Sequence, residues 1–422
     1  MSDRSELRVN SLYLVINPQE GWGDITAGLK IAQCFQRHLP SIKITVGIYD
    51  PNDTMEDNRE AKIGLFSKHN ISVCNIDSEL KDFSEWIEST KNHDLQITFP
   101  EVDELLWATA NGVSTLMLSE YNTKFCLPPK GFERWVQCGS LGIPEDQDEQ
   151  PNLMHMGLLF QPPSQVPSDL PPQKGVFLCY ASTEESRKQF VSGVAALPDW
   201  QNMDFTVVIP GCEISSAFGE GLASDIQIRT KEGYERSSNR TSHVITIDIE
   251  TRSREDMQVL WQTSEPLCLC TGDQSWTEAV QFNKRFVYES TPHKADLAKA
   301  IQAHYGKCVI WLTESFDFKY LPDPETYTEM NRKLLNGWNA WPLITEECLA
   351  LDRANLYNAI GKSDPFDQFE DFDGLIIETV REDEVIHCLK QGKRQFNAEE
   401  VGCQGQYVII SWQVDPSEES EE

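Results

Sequence analysis

Thr271-Gly272-Asp273-Gln274-Ser275-Trp276-Thr277-Glu278-Ala279 decides how this chain reads. The apolar run Pro266–Cys270 precedes it, a helical pattern carries it to about Asn283, and a second apolar run, Phe286-Val287-Tyr288, follows. A strand, a tight glycine turn, a hydroxyl at a helix start and another strand leave the first backbone N–H groups of the helix without intrahelical partners, ready for an anion. Gly272 admits a positive φ and a close approach of ligand to backbone. Asp273 or Ser275 is placed to cap the helix, and the Ser275 hydroxyl can also donate to a phosphate. Glu278 lies one turn further in, on a side able to face a cleft and accept bonds from ribose hydroxyls. Asn283 stands where a helix ends in a left-handed residue, a role Asn fills when Gly does not. The stretch alone also fits an ordinary strand–helix turn whose Asp and Ser only cap.

On either side the chain alternates. Ser11–Asn17, Lys43–Asp50, Ser72–Ile76, Leu95–Phe99 and Ser114–Ser119 read as strands. Helical spacing separates them at Ile25–His38, Arg59–His69, Leu80–Ser89 and Leu105–Ala110. The segment Leu141–Lys174 is acidic, then rich in proline, and reads as a linker. Alternation restarts with strands at Gly175–Tyr180, Asp204–Ile209, His243–Ile247 and Pro266–Cys270, and helices at Glu184–Ala195, Arg254–Trp261 and Ala295–His304. Repeated strand–helix units predict α/β architecture: two Rossmann-like domains with parallel sheets, facing a cleft, with ligands at the carboxyl ends of the strands. The expected boundaries are 1–145, a linker over 146–174, a second domain over 175–320, and a C-terminal α/β appendage with an acidic tail over 321–422. In the appendage, Glu325–Leu335, Glu346–Ala359 and Asp383–Lys390 read as helices, and Gly374–Thr379 and Tyr407–Trp412 as strands.

Composition narrows the function. Asp and Glu number 67 against 36 Lys and Arg, a formal charge of −31. Such a surplus argues against nucleic acid or an anionic membrane as a general partner. No run of 18 apolar residues exists, so no membrane span is expected, and the N-terminus lacks the apolar core of a signal peptide. The 12 cysteines contain no C-x-x-C pair. They read as free thiols in a reducing, cytoplasmic compartment, whether in the cell of origin or after delivery into another. The 8 histidines are dispersed without ligand spacing, so no metal site is expected.

A second signal follows the first strand: Glu20-Gly21-Trp22-Gly23-Asp24. Gly21 and Gly23 let the turn pass close to a ligand. Asp24 then opens the first helix, where a carboxylate can remove a proton from an acceptor nucleophile, or simply cap. A dinucleotide fingerprint is weakened by Thr26 at the third glycine position and by the charge Asp24 would set against a pyrophosphate. Tyr180, ending the first strand of the second domain, can face a bound nucleotide or pack as an ordinary strand-end aromatic.

Taken together, these pieces resemble the GT-B glycosyltransferases, and within them the protein-arginine rhamnosyltransferases that modify bacterial elongation factor P. In that family an acidic residue, two residues and Gly-Asp resemble Glu20 to Asp24, which makes Glu20 and Asp24 the catalytic carboxylates and Gly21, Trp22 and Gly23 the acceptor-side loop. Ser119-Glu120-Tyr121, Trp135-Val136, Cys138, Leu178-Cys179-Tyr180 and Val259-Leu260-Trp261 resemble further family stretches. The donor motif resembles Thr271-Gly272-Asp273-Gln274-Ser275. The family's phosphate-facing Arg is Thr271 here, its second acidic residue is Gln274, and its base-stacking Phe is Leu178. Losing the Arg removes a bidentate pyrophosphate contact and leaves more of the binding to backbone N–H groups.

The resemblance implies an inverting, metal-independent transferase with a nucleotide-diphosphate sugar as substrate, no cofactor, and a protein acceptor such as an arginine side chain. Two other classes stay open on the residues alone: a non-catalytic binding protein on the same fold, and a nicotinamide-dependent oxidoreductase.

Overall fold

The computed structural model describes residues 10–18, 23–49, 59–76, 93–99, 114–119, 136–142, 154–161, 170–215, 218–219, 225–230, 233–236, 243–311, 316–348, 351, 377–380 and 408–410. They fall in two compact units, Met1–Leu351 and Asp352–Glu422.

The first unit contains two sheets. One is built from seven parallel strands: β1 (Ser11–Ile16), β2 (Lys43–Tyr49), β3 (Ser72–Ile76), β4 (Leu95–Phe99), β5 (Thr115–Ser119), β6 (Val136–Leu141) and β7 (Met154–Gly157). Their order is β3-β2-β1-β4-β5-β6-β7. Leu12, Leu14, Val15, Ile16, Leu95, Ile97, Leu116 and Leu118 are fully buried. Unbroken apolar runs of this kind are what strands covered on both faces require. Helix α1 (Gly23–His38) follows β1, and α2 (Arg59–Ser67) follows β2. Gly28 lets α1 lie against β1, because a methyl group there would sit 2.2 Å from Cδ1 of Ile16. The helices expected at Leu80–Ser89 and Leu105–Ala110 lie outside the described residues.

The other sheet has eight strands: β8 (Val176–Cys179), β9 (Phe205–Val208), β10 (Asp225–Thr230), β11 (Gly233–Arg236), β12 (Val244–Asp248), β13 (Leu267–Thr271), β14 (Arg285–Ser290) and β15 (Val309–Trp311). The order is β11-β10-β12-β9-β8-β13-β14-β15, parallel except for the β10–β11 hairpin at one edge. Helices α3 (Glu184–Ala196), α4 (Arg254–Thr263), α5 (Gly272–Gln281) and α6 (Ala295–Tyr305) connect its strands. Thr183 caps α3 by accepting from the N–H of Ser186, and Ser253 caps α4 by accepting from that of Asp256.

Strand order reverses between β1 and β4 in one sheet and between β8 and β13 in the other. Such switch points open a crevice at the carboxyl ends of the strands. Gly23 and Asp24 open α1 after β1, Tyr180 follows β8, and Gly272 opens α5 directly after Thr271 ends β13. The fold therefore sets all three at the crevices expected for ligands.

Two stretches differ from the sequence expectation. Within 146–174, expected as a linker, Met154–Gly157 forms β7 and Leu158, Leu159 and Phe160 are buried. The short apolar run is flanked by turn-forming residues, which hid it. After Tyr320, helix α7 (Pro324–Gly337) packs Tyr327 and Leu334 into the second core. The chain then pairs Asn339 with Leu158, and Ala340, Ile344, Cys348 and Leu351 enter the first core. These helical patterns were legible, but not the surfaces they cover.

In the second compact unit, β16 (Ile377–Val380) pairs antiparallel with β17 (Val408–Ile410), matching the two strands expected there. The helix expected at Asp383–Lys390 lies outside the described residues.

Candidate functional site

Thr271 is the N-cap residue of α5, in extended conformation with φ −140° and ψ 145°, and its side chain makes no capping bond. Its hydroxyl instead donates to the carbonyl of Glu289 at 3.3 Å. Gly272 takes φ 75°, the left-handed region that favours glycine, and nothing lies within 4 Å of where its Cβ would be. The chain turns there into open space. Asn283 also adopts the left-handed conformation expected of it, with φ 51°.

The expected capping roles of Asp273 and Ser275 need correction. With Thr271 at the cap position, both residues lie inside the helix. Asp273 pairs with Lys294 at 2.5 Å. The Ser275 hydroxyl accepts from the Thr271 N–H at 3.1 Å and donates to the Thr271 carbonyl. It locks the strand end onto the helix and leaves the first-turn N–H groups without a side-chain cap.

Gln274 and Glu278 stand one turn apart and look toward α1. Lys30 of α1 donates to Oε1 of Gln274 at 2.8 Å and pairs with Oε1 of Glu278 at 3.5 Å. A methyl group at Gly23 would lie 4.0 Å from Cγ of Gln274. Gly23 and Lys30 are seven residues apart, so they share one helix face, and that face lies along α5. Asp24, the second residue of α1, is only 7% exposed. The expected acceptor-side turn and the expected donor turn thus meet. Glu20, Gly21 and Trp22 lie outside the described residues, as do Glu120, Tyr121 and Trp135.

Tyr180 extends from β8, its N–H donating to the Leu269 carbonyl at 2.7 Å, and it is 38% exposed. Packing around its phenol, and next the Glu278 charge, push the hydroxyl up to about 12, so it is neutral at physiological pH. Leu178, which matches the family's base-stacking Phe, is fully buried in the second core. The accessible aromatic at this strand end is Tyr180.

A polar seam continues from Glu278. Gln161 donates to Glu278 at 3.1 Å and receives a bond from Gln258 of α4 at 2.9 Å. Gln281 accepts from the Gln161 N–H at 2.5 Å and donates to its carbonyl at 3.0 Å. Burial lowers Lys30 to about 8; Glu278 opposes this shift and Arg254 adds to it. Burial also lowers Arg254 from its ordinary range, against the pull of Glu278 and Glu255.

Below the two turns, Glu289 is fully buried at the end of β14. Its carboxylate accepts from the Ser182 N–H at 2.6 Å and from the Thr183 N–H and hydroxyl at 2.9 and 2.7 Å. Arg187 fastens the same turn by donating to the carbonyls of Ala181 and Ser182 at 3.0 Å.

Sequence reasoning passed over Lys30, Gln161, Arg254, Glu289 and Lys294. A signal existed for two of them. Lys30 interrupts the apolar stretch Ile25–Phe35, and Glu289 ends the buried run Phe286–Tyr288 with a charge. Among the described residues, no cluster of three His, Cys, Asp or Glu is arranged to hold a metal ion, and no helix is long and apolar enough to cross a membrane. Cys34, Cys179, Cys212, Cys268, Cys270, Cys308 and Cys348 are free thiols, and all of these but Cys212 are buried.

No protein-family model matches the sequence, and no curated protein matches it. Solved structures do. A glycosyltransferase from Rickettsia africae superposes with a TM-score of 0.51 at 9% identity, covering 84% of this chain and 100% of that one. MurG of Acinetobacter baumannii gives a TM-score of 0.45 at 14% identity, covering 81% and 94%. The likeness to the Rickettsia enzyme is one of fold: two Rossmann-like sheets, each with a switch-point crevice, in the GT-B architecture.

Proposed function

We propose that this protein is a glycosyltransferase that moves a sugar from a nucleotide-diphosphate donor to an acceptor. The observation that carries the reading is the meeting of the Gly23–Asp24 turn with the Gly272–Ser275 turn, through Gly23 and Gln274. One turn offers uncapped helix N–H groups over an open glycine; the other follows Gly23 with Asp24, a buried acidic residue at the start of α1.

In this reading the diphosphate rests on the N-terminal amides of α5. Charge developing there as the glycosidic C–O bond breaks is met by the helix dipole. Gly272 permits the approach, and Glu278 and Tyr180 stand near the nucleoside. Asp24, with Glu20 orienting or sharing the role, takes the proton from the acceptor as its nucleophilic atom bonds to the anomeric carbon. A single displacement of this kind inverts that carbon. A protein side chain is the proposed acceptor, by the resemblance of the Glu20–Asp24 turn. For an arginine, paired carboxylates would position and polarise a guanidinium that is charged and poorly nucleophilic. The side chains named supply these steps without a metal ion.

Asp24→Ala tests the assignment. Transfer should vanish while nucleoside diphosphate binding persists. Normal turnover in that variant removes Asp24 from the chemistry. A thermal-shift panel of UDP, GDP, dTDP, NAD and NADP tests the donor class, because a ligand that binds only the folded state stabilises it by an amount that grows with the ratio of ligand concentration to Kd. Stabilisation by NAD or NADP alone would replace this reading with a dehydrogenase.

A further inference from the structure

We propose that Lys30, a residue of the acceptor-side sheet layer, is a positioning residue for the sugar donor: its ammonium bridges Gln274 and Glu278 and sets the face of α5 that receives the nucleotide. The proposal rests on the donor-site reading above and adds to it a control exerted from the other sheet.

The argument begins with cost. Lys30 is fully buried on a helix that is otherwise apolar around it. Burying an ammonium costs several kcal/mol, and an ion pair in that setting seldom exceeds what an apolar residue of similar size gives. Packing alone would favour leucine or methionine at this position. Both of the bonding partners, however, belong to the donor turn and its helix. Gln274 is three residues past the N-cap of α5, and Glu278 is the carboxylate proposed for the ribose. Holding both side chains on one ammonium fixes their rotamers before a ligand arrives, which reduces the ordering cost of binding. It also brings a positive charge beside a turn where Thr271 supplies none and where Lys294 is paired with Asp273.

The charged groups acting on Lys30 are Glu278 on α5 and Arg254 on α4; Arg254 also bears on His69, just beyond α2. Burial with Arg254 nearby lowers the Lys30 amine to about 8, so the bridge is intact at neutral pH and dissolves above that value. Deprotonation relieves the burial cost, so this group's contribution to folding stability rises between about 8 and its ordinary 10.5. Donor affinity that falls in the same window is therefore not a sign of unfolding.

Calorimetric titration of the full chain with UDP, GDP and dTDP, from about pH 7 to about pH 9, tests this. The wild type should bind one of them and lose affinity by about tenfold as pH passes through the Lys30 titration, with no matching loss of stability from this group. Lys30→Met should bind about tenfold more weakly at pH 7 and show a flat profile. If the wild type binds a nucleotide with an affinity that does not change across pH 8, or Lys30→Met matches it in affinity and profile, the positioning role is wrong and the donor site stands. If the wild type binds none of the three, the donor-site reading itself fails and this proposal with it. The wild-type profile decides the matter even where the Lys30→Met protein does not fold.

Discussion

Replacing Gly157 with alanine should loosen the junction between the two sheets. Gly157 ends β7 with φ 96°, where an L side chain costs about 1–2 kcal/mol. Its new Cβ would lie 2.4 Å from the carbonyl oxygen of Trp338 and 2.8 Å from the carbonyl carbon. Those atoms are backbone, so no rotamer change relieves the clash. That carbonyl accepts from the Leu158 N–H at 2.7 Å, and the Leu158 carbonyl accepts from Ala340 at 3.0 Å, so moving it disturbs both bonds. Overpacking of this kind adds about 1–3 kcal/mol, for a total of about 2–5 kcal/mol. Gly337→Ala is the matched control, because that helical glycine has nothing within 4 Å of its Cβ position and should be neutral or gain up to about 1 kcal/mol. Denaturant titration followed by tryptophan fluorescence compares the two, and amide exchange should quicken at Leu158 and Ala340 in the Gly157 variant. A loss below about 0.5 kcal/mol, or one equal to the control, would refute the claim that this contact anchors the returning chain.

Other expectations concern the site and its supports. Gly272→Ala should cost only about 1 kcal/mol of stability, because its Cβ meets no neighbour, yet weaken nucleoside diphosphate binding at least about tenfold; intact binding would show that no ligand approaches this turn. Glu289→Gln should set an amide N–H₂ against the Ser182 or Thr183 N–H and cost about 1–3 kcal/mol, read by denaturation, whereas a neutral result would mean that the turn rearranges freely. Burial, and then Glu346, raise the Glu347 carboxyl to about 7. Its folded-state value lies above the unfolded one, so its contribution is fully present below about 4.5 and is lost as pH rises through about 7. Glu347→Gln should accordingly melt higher than wild type at pH 8 and equally at pH 4, and a difference that does not vary with pH would contradict this.

Much of the fold was legible because its central strands are unbroken apolar runs. Ser11–Ile16 and Leu267–Thr271 could be little else, and the glycine turn after Thr271 announced itself through a residue that alone accepts φ 75° without cost. Edge elements were not legible. β10 alternates polar and apolar residues over a short span, β11 is the four residues Gly-Tyr-Glu-Arg, and β15 is three residues long. Asp273 reads as a cap from its spacing to the apolar run, but the cap is Thr271 and the helix begins two residues earlier than the spacing suggests. The Lys30 contact was beyond reach for another reason. It joins positions 244 apart in the chain, and a lysine on a helix ordinarily reads as solvated. Only the packing of α1 on α5 buries it.

Glu289 carries a consequence for anyone who would transplant the proposed donor site between proteins of this architecture. Its side chain fastens the Ser182-Thr183 turn and its carbonyl fastens Thr271, so both walls of the crevice hang from one residue of a third strand. A graft of the Thr271–Ser275 segment alone would arrive without its counterpart. The transferable piece is the pair of turns together with the end of β14, so the geometry of this crevice is inherited as a block.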